Sequence, residues 1–412
     1  MTSNNSPIGG SRFAIFRYPG FRRYWIAIVL IGFALQIQTV AVGWQVYEMT
    51  RSAFNLGLVG LSQFLPALGL VLVTGAVADR LPRKRILITC LLVEAVCAAG
   101  LMVMTLPGFE SILPIFGLLM IFGAARAFYN PARQAIVPNL VPENQLPNAI
   151  AVNTTANQFA TICGPVAGGL LYGVQPGAAY GATLGLLLAA AVLVFSIPNP
   201  EQQRARGHTT WATISAGFSY ILSEKVVLGA ISLDLFAVLL GGAVALLPIY
   251  AHDILHVGPS GLGFLRSAQA VGAISMGALL IWRPVSNHAG RIMFAAVFAF
   301  GLFTLVFAVS ETLWISVFAL ALMGGADMVS VYIRGTLIQL WTPDELRGRV
   351  NAVNQVFIGA SNELGGFRAG TTTALIGPVA AVLAGGIGTL AVAGLWMRGF
   401  PQLRHVKHLT RS

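Results

Sequence analysis

Long apolar stretches follow one another along almost the whole chain, and short polar links separate them. A helix of about 20 residues crosses the roughly 30 Å hydrocarbon core of a bilayer. Because a backbone in lipid must satisfy its own hydrogen bonds, such stretches predict helices. We predict an all-α membrane protein with twelve spans, at 24–47, 54–77, 86–106, 112–137, 148–173, 177–197, 226–250, 261–282, 290–310, 312–338, 350–372 and 375–398.

The second half of the chain repeats the first at an offset of 201 residues. The run GAARAFYNPARQAIVPNLVPENQLPNAIAVN, from Gly123, aligns with GGADMVSVYIRGTLIQLWTPDELRGRVNAVN, from Gly324. Such a duplication predicts two pseudo-symmetric six-helix bundles with a central cavity, the architecture of a rocking transporter. We expect an N-terminal cytoplasmic tail at 1–23, bundles at 24–197 and 226–398, a cytoplasmic linker with an interfacial helix at 198–225, and a cytoplasmic tail at 399–412.

Charged residues make up only 9% of the chain, and their distribution indicates its orientation. With both termini in the cytoplasm, 19 of the 25 Lys and Arg residues fall in cytoplasmic segments and only Arg51 falls outside. The positive-inside rule favours that arrangement, in the cytoplasmic (inner) membrane of a bacterium. Membrane topology also accounts for the formal charge of +11. The sequence has no basic stripe interleaved with aromatic residues, so nucleic-acid binding is not predicted.

The link at 75–85, GAVADRLPRKR, has five charges in eleven residues. Topology explains its four cations but not the carboxylate of Asp79, because a lone carboxylate weakens a cationic anchor. An Asp held by neighbouring Arg residues, and able to accept backbone N–H groups from another helix end, predicts a latch between helices. The candidate latch residues are Gly75, Asp79, Arg80, Arg83 and Lys84.

The fifth span contains AVNTTANQFATICGPVAGG, in which small residues recur at every fourth position from Ala156 to Gly168. This stripe predicts close packing against another helix. Pro165 cannot donate a hydrogen bond to the carbonyl of Thr161, so a kink is expected there. Packing alone would account for the pattern.

Charged side chains inside the spans are costly in lipid, which makes them functional candidates by default. The repeat places Arg126 of the fourth span opposite Asp327 of the tenth, so we expect the two to face each other across the pseudo-twofold axis. Asp327 or Asp234 is the predicted proton carrier, with Glu363 as the third candidate and Arg126 as the cationic partner. His252 and His256 lie in an external loop with only one carboxylate nearby, so no metal site is predicted.

Polar, uncharged side chains in the spans form a second set of candidates, for a substrate cavity. A large and partly apolar cavity with few fixed charges suits amphipathic organic molecules better than small ions. Ordinary hydrogen bonding between helices would explain part of this set equally well. The candidates are Gln36, Gln38, Gln63, Tyr129, Asn157, Gln158, Asn354 and Asn362.

The five latch residues also resemble a motif of the major facilitator superfamily, Gly-x-x-x-Asp-Arg-x-Gly-Arg-Lys, between helices two and three. Pro82 stands where that family usually has Gly. The resemblance implies a fold of twelve helices in which this Asp and Arg stabilise the outward-facing state by closing the cytoplasmic side. It also implies a peripheral third helix, and hence a snorkelling or a structural role for Glu94.

Two further runs narrow the resemblance. Gly164, Pro165, Gly168 and Gly169 are similar to the fifth-helix motif of drug–proton antiporters, which is typical of exporters rather than importers. The run AFYNPARQAIVPNLVPENQLPNAIAVN resembles the enterobactin-exporter and macrolide-efflux branch. The resemblance covers the whole chain in architecture and residues 75–169 in motif detail.

These features predict a proton-driven antiporter that expels an amphipathic organic molecule, a drug or a siderophore, by alternating access. We expect a monomer in the lipid bilayer, with protons and a small organic substrate as partners and no cofactor besides the proton gradient. A lipid or lysophospholipid transporter of the same fold, and a facilitator without proton coupling, remain alternatives. No enzyme is predicted: the sequence has no Gly-x-x-x-x-Gly-Lys-Ser/Thr stretch, and all six histidines lie in loops or tails.

Overall fold

The structure, a computed structural model, describes residues 14–109, 111–198 and 211–409. α-Helices form nearly all of this part of the chain, and no strand occurs in it. In chain order they are α1 (Pro19–Thr50), α2 (Ala53–Arg80), α3 (Arg83–Val103), α4 (Leu113–Ile136), α5 (Leu146–Val174), α6 (Pro176–Phe195), α7 (Trp211–Ser223), α8 (Lys225–Gly241), α9 (Leu247–Ile249), α10 (Gly258–Trp282), α11 (Ala289–Ala308), α12 (Leu313–Trp341), α13 (Asp344–Ile376), α14 (Pro378–Gly399) and α15 (Pro401–Arg404).

The helices pack as two bundles of six spans. In the first bundle α1 packs on α5 and α6, while α3 packs on α4 and α6. In the second bundle α10 packs on α12, and α14 packs on α8 and α11. The bundles meet along two main helix pairs, α2 with α13 and α5 with α10. The repeat relates α2 to α10 and α5 to α13, so the pseudo-twofold axis exchanges these two contacts.

Glycines allow the backbones at these contacts to approach closely. A Cβ added to Gly263 of α10 would lie 2.5 Å from the carbonyl oxygen of Pro165 in α5. On the other contact, a Cβ added to Gly370 of α13 would lie 2.5 Å from the carbonyl oxygen of Ala53. Gly168 of the small-residue stripe instead lies against α1, where its Cβ would be 2.9 Å from the Cα of Ile37. The stripe therefore packs inside the first bundle, and its neighbour Gly169 contacts the second.

The seventh span is interrupted near its middle. α8 ends at Gly241, and the chain continues through a 3₁₀ turn (Ala243–Leu246), α9 and a π-helical turn (Tyr250–Ile254). Gly242 at the break has φ of 37°, and a Cβ there would lie 2.8 Å from the carbonyl oxygen of Gly365. Both observations require glycine. The break places irregular backbone between the bundles, an arrangement found where a membrane protein lines a cavity.

Ten helical segments of the described chain are long and apolar enough to cross a membrane. α5 and α13, with 29 and 33 residues, are long enough but fall outside that set. These two helices occupy equivalent positions in the repeat, and each contacts the opposite bundle. Their polar residues face protein and cavity as well as lipid, which lowers their hydropathy without shortening them.

Candidate functional site

A cavity of about 430 Å³ lies between the two bundles. α1, α2 and α4 line it on one side; the broken seventh span, α10 and α13 line it on the other. Its apolar wall includes Leu35, Val42, Leu56, Val59, Leu119, Phe122 and Val244. Its polar side chains are Gln38, Thr39, Gln63, Arg266, Asn362 and Glu363. The cavity is thus amphipathic and has one cation and one anion in its wall.

Arg266 and Glu363 both come from the second bundle but point toward the first. The guanidinium Nη2 of Arg266 would lie 3.8 Å from a Cβ added to Gly43 of α1. The carboxylate Oε2 of Glu363 lies against Gly60 of α2, where a Cβ would overlap it. Among the described residues the two side chains form no ion pair with each other. Glycines of the first bundle therefore leave the space that these two charged groups occupy.

The amides in the cavity are only partly satisfied by protein. Gln63 Nε2 donates to the carbonyl of Val59 at 3.5 Å, and Asn362 Nδ2 donates to the carbonyl of Ile358 at 2.9 Å. Gln38 is 3% exposed, yet its buried Oε1 accepts no hydrogen bond. A buried acceptor without a donor costs free energy, so it marks a position where a bound molecule can donate.

The cavity is closed at the end where α1 and the seventh span terminate. Tyr47 Oη donates a hydrogen bond to Asp253 Oδ2, and Arg51 Nη1 lies 3.4 Å from Asp253 Oδ1. The ring of His252 lies 5.4 Å from that of Trp44, centroid to centroid. We call this group, Trp44, Tyr47, Arg51, His252 and Asp253, the seal. It joins the two bundles on the side of the protein opposite the chain termini.

The close approaches between the bundles, at Gly263 and Gly370, lie in the halves of their helices nearest the seal rather than on the side that carries the termini. A cleft of about 390 Å³ opens there, and its lining residues all come from α1, α4, α5 and the turn that follows α4. Arg133 and Asn157 lie in this cleft, with Arg133 Nη1 donating to Asn157 Oδ1 at 3.3 Å. Asn153, which also lines it, has a buried Oδ1 without a partner. No described residue of the second bundle lines this cleft.

The predicted proton carriers lie in two places. Glu363 is in the central cavity, whereas Asp234 forms a buried ion pair with Arg334. Asp327 borders a side pocket of about 100 Å³ that shares Asn362 with the central cavity. It also borders a smaller void beside Asp234. Asp327 thus stands between the cavity and the Asp234–Arg334 pair.

Arg126 differs from the sequence-based expectation that it faces Asp327. Its Nη1 lies 3.8 Å from Oε1 of Glu94, a residue of the adjacent helix α3 whose side chain is fully buried. Its guanidinium carbon lies 4.8 Å from the ring centroid of Tyr129. Neither carboxylate oxygen of Glu94 has a hydrogen-bond partner. The repeat predicts the position of Arg126 along its helix, but the helix is oriented so that the side chain points into its own bundle.

The predicted latch forms contacts within the first bundle. Pro82, with φ of −58°, is the cap residue of α3 and fixes the short link after α2. Arg83 Nη1 donates to the carbonyl of Ala135 at 2.6 Å and to Asn139 Oδ1 at 2.7 Å. Lys84 Nζ donates to the carbonyl of Ile197 at 2.6 Å. These cations tie the start of α3 to the ends of α4 and α6.

Of the remaining latch residues, the structure gives the positions of Gly75 and Arg80. Gly75 lies within α2, and Arg80 is exposed at the end of that helix. The side chain of Asp79 lies outside the part of the chain that the structure describes. The latch function therefore stays a prediction.

The other cavity candidates lie apart from the central cavity. Gln36 packs against Gly164, where a Cβ would lie 2.5 Å from the Gln36 Cβ. Gln158 is exposed on α5. Asn354, the repeat partner of Asn153, likewise has a buried Oδ1 without a partner. Gln38, Gln63, Asn362 and Glu363 are thus the predicted residues that the structure brings together, and Arg266 joins them. The sequence signal for Arg266 is that of an arginine inside a membrane span, which is costly in lipid.

Comparison with known proteins identifies the family. A family described as "transmembrane secretion effector" matches residues 10–409. The chain belongs to this family, within the major facilitator superfamily. Enterobactin exporter EntS of Escherichia coli (strain K12) is 29% identical over 412 residues, which covers 95% of this chain and 94% of that protein. EntS of Shigella dysenteriae serotype 1 (strain Sd197) is 29% identical over 406 residues.

Solved structures of other superfamily members share the fold. The nucleoside transporter NupG superposes with a TM-score of 0.70 at 13% identity, covering 92% of this chain and 99% of that one. A bacterial homolog of the human lysosomal transporter Spinster, in an inward-facing conformation, superposes with a TM-score of 0.72 at 14% identity, covering 96% and 99%. The predicted superfamily, its enterobactin-exporter-like branch and the twelve-helix fold are confirmed. This superfamily member is a multi-pass membrane transporter of an exporter branch.

Proposed function

We propose that this transporter is a proton-driven exporter that expels an amphipathic organic molecule by alternating access. The observation that carries the proposal is the central cavity, which both bundles line and which the seal closes at one end. A site between two repeats that opens to one side at a time is the basis of alternating access. The protein would work as a monomer in the bacterial cytoplasmic membrane and without a cofactor.

The orientation of the cavity in the membrane indicates the side from which substrate would enter it. With both termini in the cytoplasm, as the distribution of Lys and Arg favours, the cleft beside α5 opens to the cytoplasm and the seal lies outside. The conformation would then be inward-facing, like that of the Spinster homolog. Substrate would enter from the cytoplasm. Breaking the seal, with closure of the cytoplasmic end, would release it outside.

Proton coupling requires a carboxylate that can reach the cavity in one conformation. Glu363 lines the cavity directly, and Asp327 reaches it through the side pocket. Asp234 can exchange a proton with the cavity only after its ion pair with Arg334 breaks. We propose that Asp327 or Glu363 carries the proton. Arg126, paired with Glu94, would act indirectly by holding α3 and α4 together.

The substrate is proposed from the cavity and from the relatives. A volume of about 430 Å³ lies in the range of pockets that bind small organic molecules. The related proteins EntS are named as exporters of enterobactin. We therefore propose a siderophore or a drug-like molecule as the substrate.

The test is transport into inverted membrane vesicles with an imposed pH gradient, using a panel of dyes, antibiotics and catecholate siderophores. Export predicts substrate accumulation that stops when a protonophore collapses the gradient. Accumulation that is unchanged after collapse would exclude proton antiport and favour the facilitator. Asp327→Asn and Glu363→Gln should each be compared with Asp344→Asn, whose side chain is 87% exposed at a helix end. Proton-linked transport that survives both changes would exclude both carboxylates.

A further inference from the structure

We propose that the molecule exported by this transporter carries an acidic group, and that the guanidinium of Arg266 binds this group in the central cavity. The inference rests on the proposed export function and names the chemistry of its substrate. Three features of the cavity support it: the hydrogen-bond donor of Arg266 that has no partner, the separation of Glu363 from Arg266, and the acceptor of Gln38 that has no donor.

Arg266 is a cation in the membrane-spanning part of α10, where a charged group without a partner is costly. Its Nε is buried and has no hydrogen-bond partner, although the side chain borders the cavity. Arginine binds carboxylates and other planar oxyanions through two parallel hydrogen bonds. The residue therefore places a guanidinium with an unfilled donor in the wall of the cavity.

Glu363 does not fill that donor. Its carboxylate lies against Gly60 of α2, and the distance between Glu363 and Arg266 exceeds that of an ion pair. The two opposite charges interact across one cavity at more than ion-pair distance, and each is directed at a different helix of the first bundle. An acidic substrate group placed beside Arg266 would complete the pairing that the protein leaves unmade.

Gln38 supplies a second and independent observation. Gln38 lines the same cavity, and its Oε1 is buried and accepts no hydrogen bond. Gln38 and Gly43, which faces the Arg266 guanidinium, both belong to α1 and both line the cavity. A molecule with an acidic group at Arg266 and a hydroxyl or N–H group at Gln38 would satisfy both. Such a ligand bridges α10 of one bundle and α1 of the other.

The remaining wall fits the rest of such a molecule. Phe122 and Leu119 of α4 and Val59 of α2 provide apolar surface opposite α10. Gln63 and Asn362 add amide groups that already use one N–H on their own helices. An aromatic acid that bears hydroxyl groups matches this distribution, whereas an organic cation would have to bind beside Glu363 and tolerate Arg266.

The test measures equilibrium binding to purified protein in lipid nanodiscs, without any gradient. Fluorescein and rhodamine 6G share a three-ring xanthene core but are an anion and a cation. We expect fluorescein to bind more tightly than rhodamine 6G. Arg266→Gln should weaken fluorescein binding by about tenfold or more, since a charge-assisted pair is lost. Arg266→Lys should retain part of the affinity, and Arg398→Gln, which changes an exposed cation at the end of α14, should change nothing.

Two results would overturn the inference: tighter binding of rhodamine 6G to the unmodified protein, or undiminished fluorescein binding by the Arg266→Gln variant. If that variant fails to fold, the comparison of the two dyes and the Arg266→Lys variant still decide. Transport separates this inference from the proposed function. Proton-driven transport of the cation alone would leave the exporter proposal intact and refute the acidic substrate. Binding that depends on Arg266, without gradient-driven transport, would support the acidic substrate and refute the proton-driven exporter.

Discussion

The seal is the feature whose disruption should change the conformational equilibrium most directly. Asp253→Asn keeps the shape of the side chain but removes the charge that Tyr47 and Arg51 contact. Those contacts exist only while the two bundles touch at this end. Weakening them should therefore favour the conformation in which the seal is open.

The structure sets the size of the effect. The hydrogen bond from Tyr47 to a carboxylate is worth about 1.5–3 kcal/mol in general, but Asp253 is 41% exposed, which reduces it to about 1–2 kcal/mol here. The ion pair with Arg51, at 3.4 Å and with a 53% exposed partner, adds less than about 1 kcal/mol. Asp253→Asn removes both contributions, about 1–3 kcal/mol together, and should thus raise the ratio of open to closed seal by about fivefold to 140-fold. Tyr47→Phe should have a larger effect than Arg51→Gln.

The assay is the rate at which a membrane-impermeant thiol reagent, added outside spheroplasts, modifies Thr39→Cys. Thr39 lines the central cavity and donates only to the carbonyl of Leu35 in its own helix. The background should lack Cys90, Cys97 and Cys163. Asp344→Asn, which breaks an exposed ion pair far from the seal, is the matched control. A modification rate for Asp253→Asn equal to that of the control would refute the role of the seal.

Three further changes test other parts of the fold. Arg334→Gln should destabilise the protein by about 3–5 kcal/mol, because it leaves Asp234 buried without its partner. The melting temperature in detergent measures this; Asp234→Asn added to it should recover much of the loss, and no recovery would contradict the pairing. Gly242→Ala should cost more than about 1 kcal/mol, because φ is 37° and a carbonyl oxygen lies 2.8 Å from the added Cβ. Gly348→Ala, with no atom within 4 Å of its Cβ, is the control, and equal melting temperatures would disprove the strain. Asp79→Asn should leave membrane insertion intact and slow transport in vesicles; an unchanged rate would reduce the link at 75–85 to a topological anchor.

Long apolar stretches predicted most of the twelve spans, because lipid imposes a length and a composition on them, whereas α5 and α13 are less apolar. Hydropathy did not predict where the helices begin: α13 begins at Asp344, although its span was placed at 350–372. Nor did it predict the break in the seventh span, since ALLPIY is as apolar as an unbroken helix. Gly242 is one of several glycines nearby, and only its contact with α13 shows that it ends α8.

The candidate site was predictable in part. Gln38, Gln63, Asn362 and Glu363 lie in the cavity as expected, since polar residues in spans favour the interior. Position along a span indicates the depth of each side chain but not the direction in which the helix turns it. Arg126 therefore points to Glu94 rather than across the axis. Arg266 is one of the charged residues inside the spans that are costly in lipid, but its position opposite Gly43 depends on packing between the bundles.

In the seal, Nη1 of Arg51 lies 2.7 Å from Nδ1 of His252. These two residues are also separated by the repeat offset of 201 residues, so they occupy equivalent positions in the two halves. Residues related by a twofold axis meet their own copies near that axis. In a symmetric ancestor with two identical halves, an arginine here would have faced an arginine, and like charges repel. The duplicated halves could acquire this seal only after their sequences diverged at the axis. A homodimer of the first bundle would place arginine against arginine here, so this contact of the seal depends on the difference between the two halves.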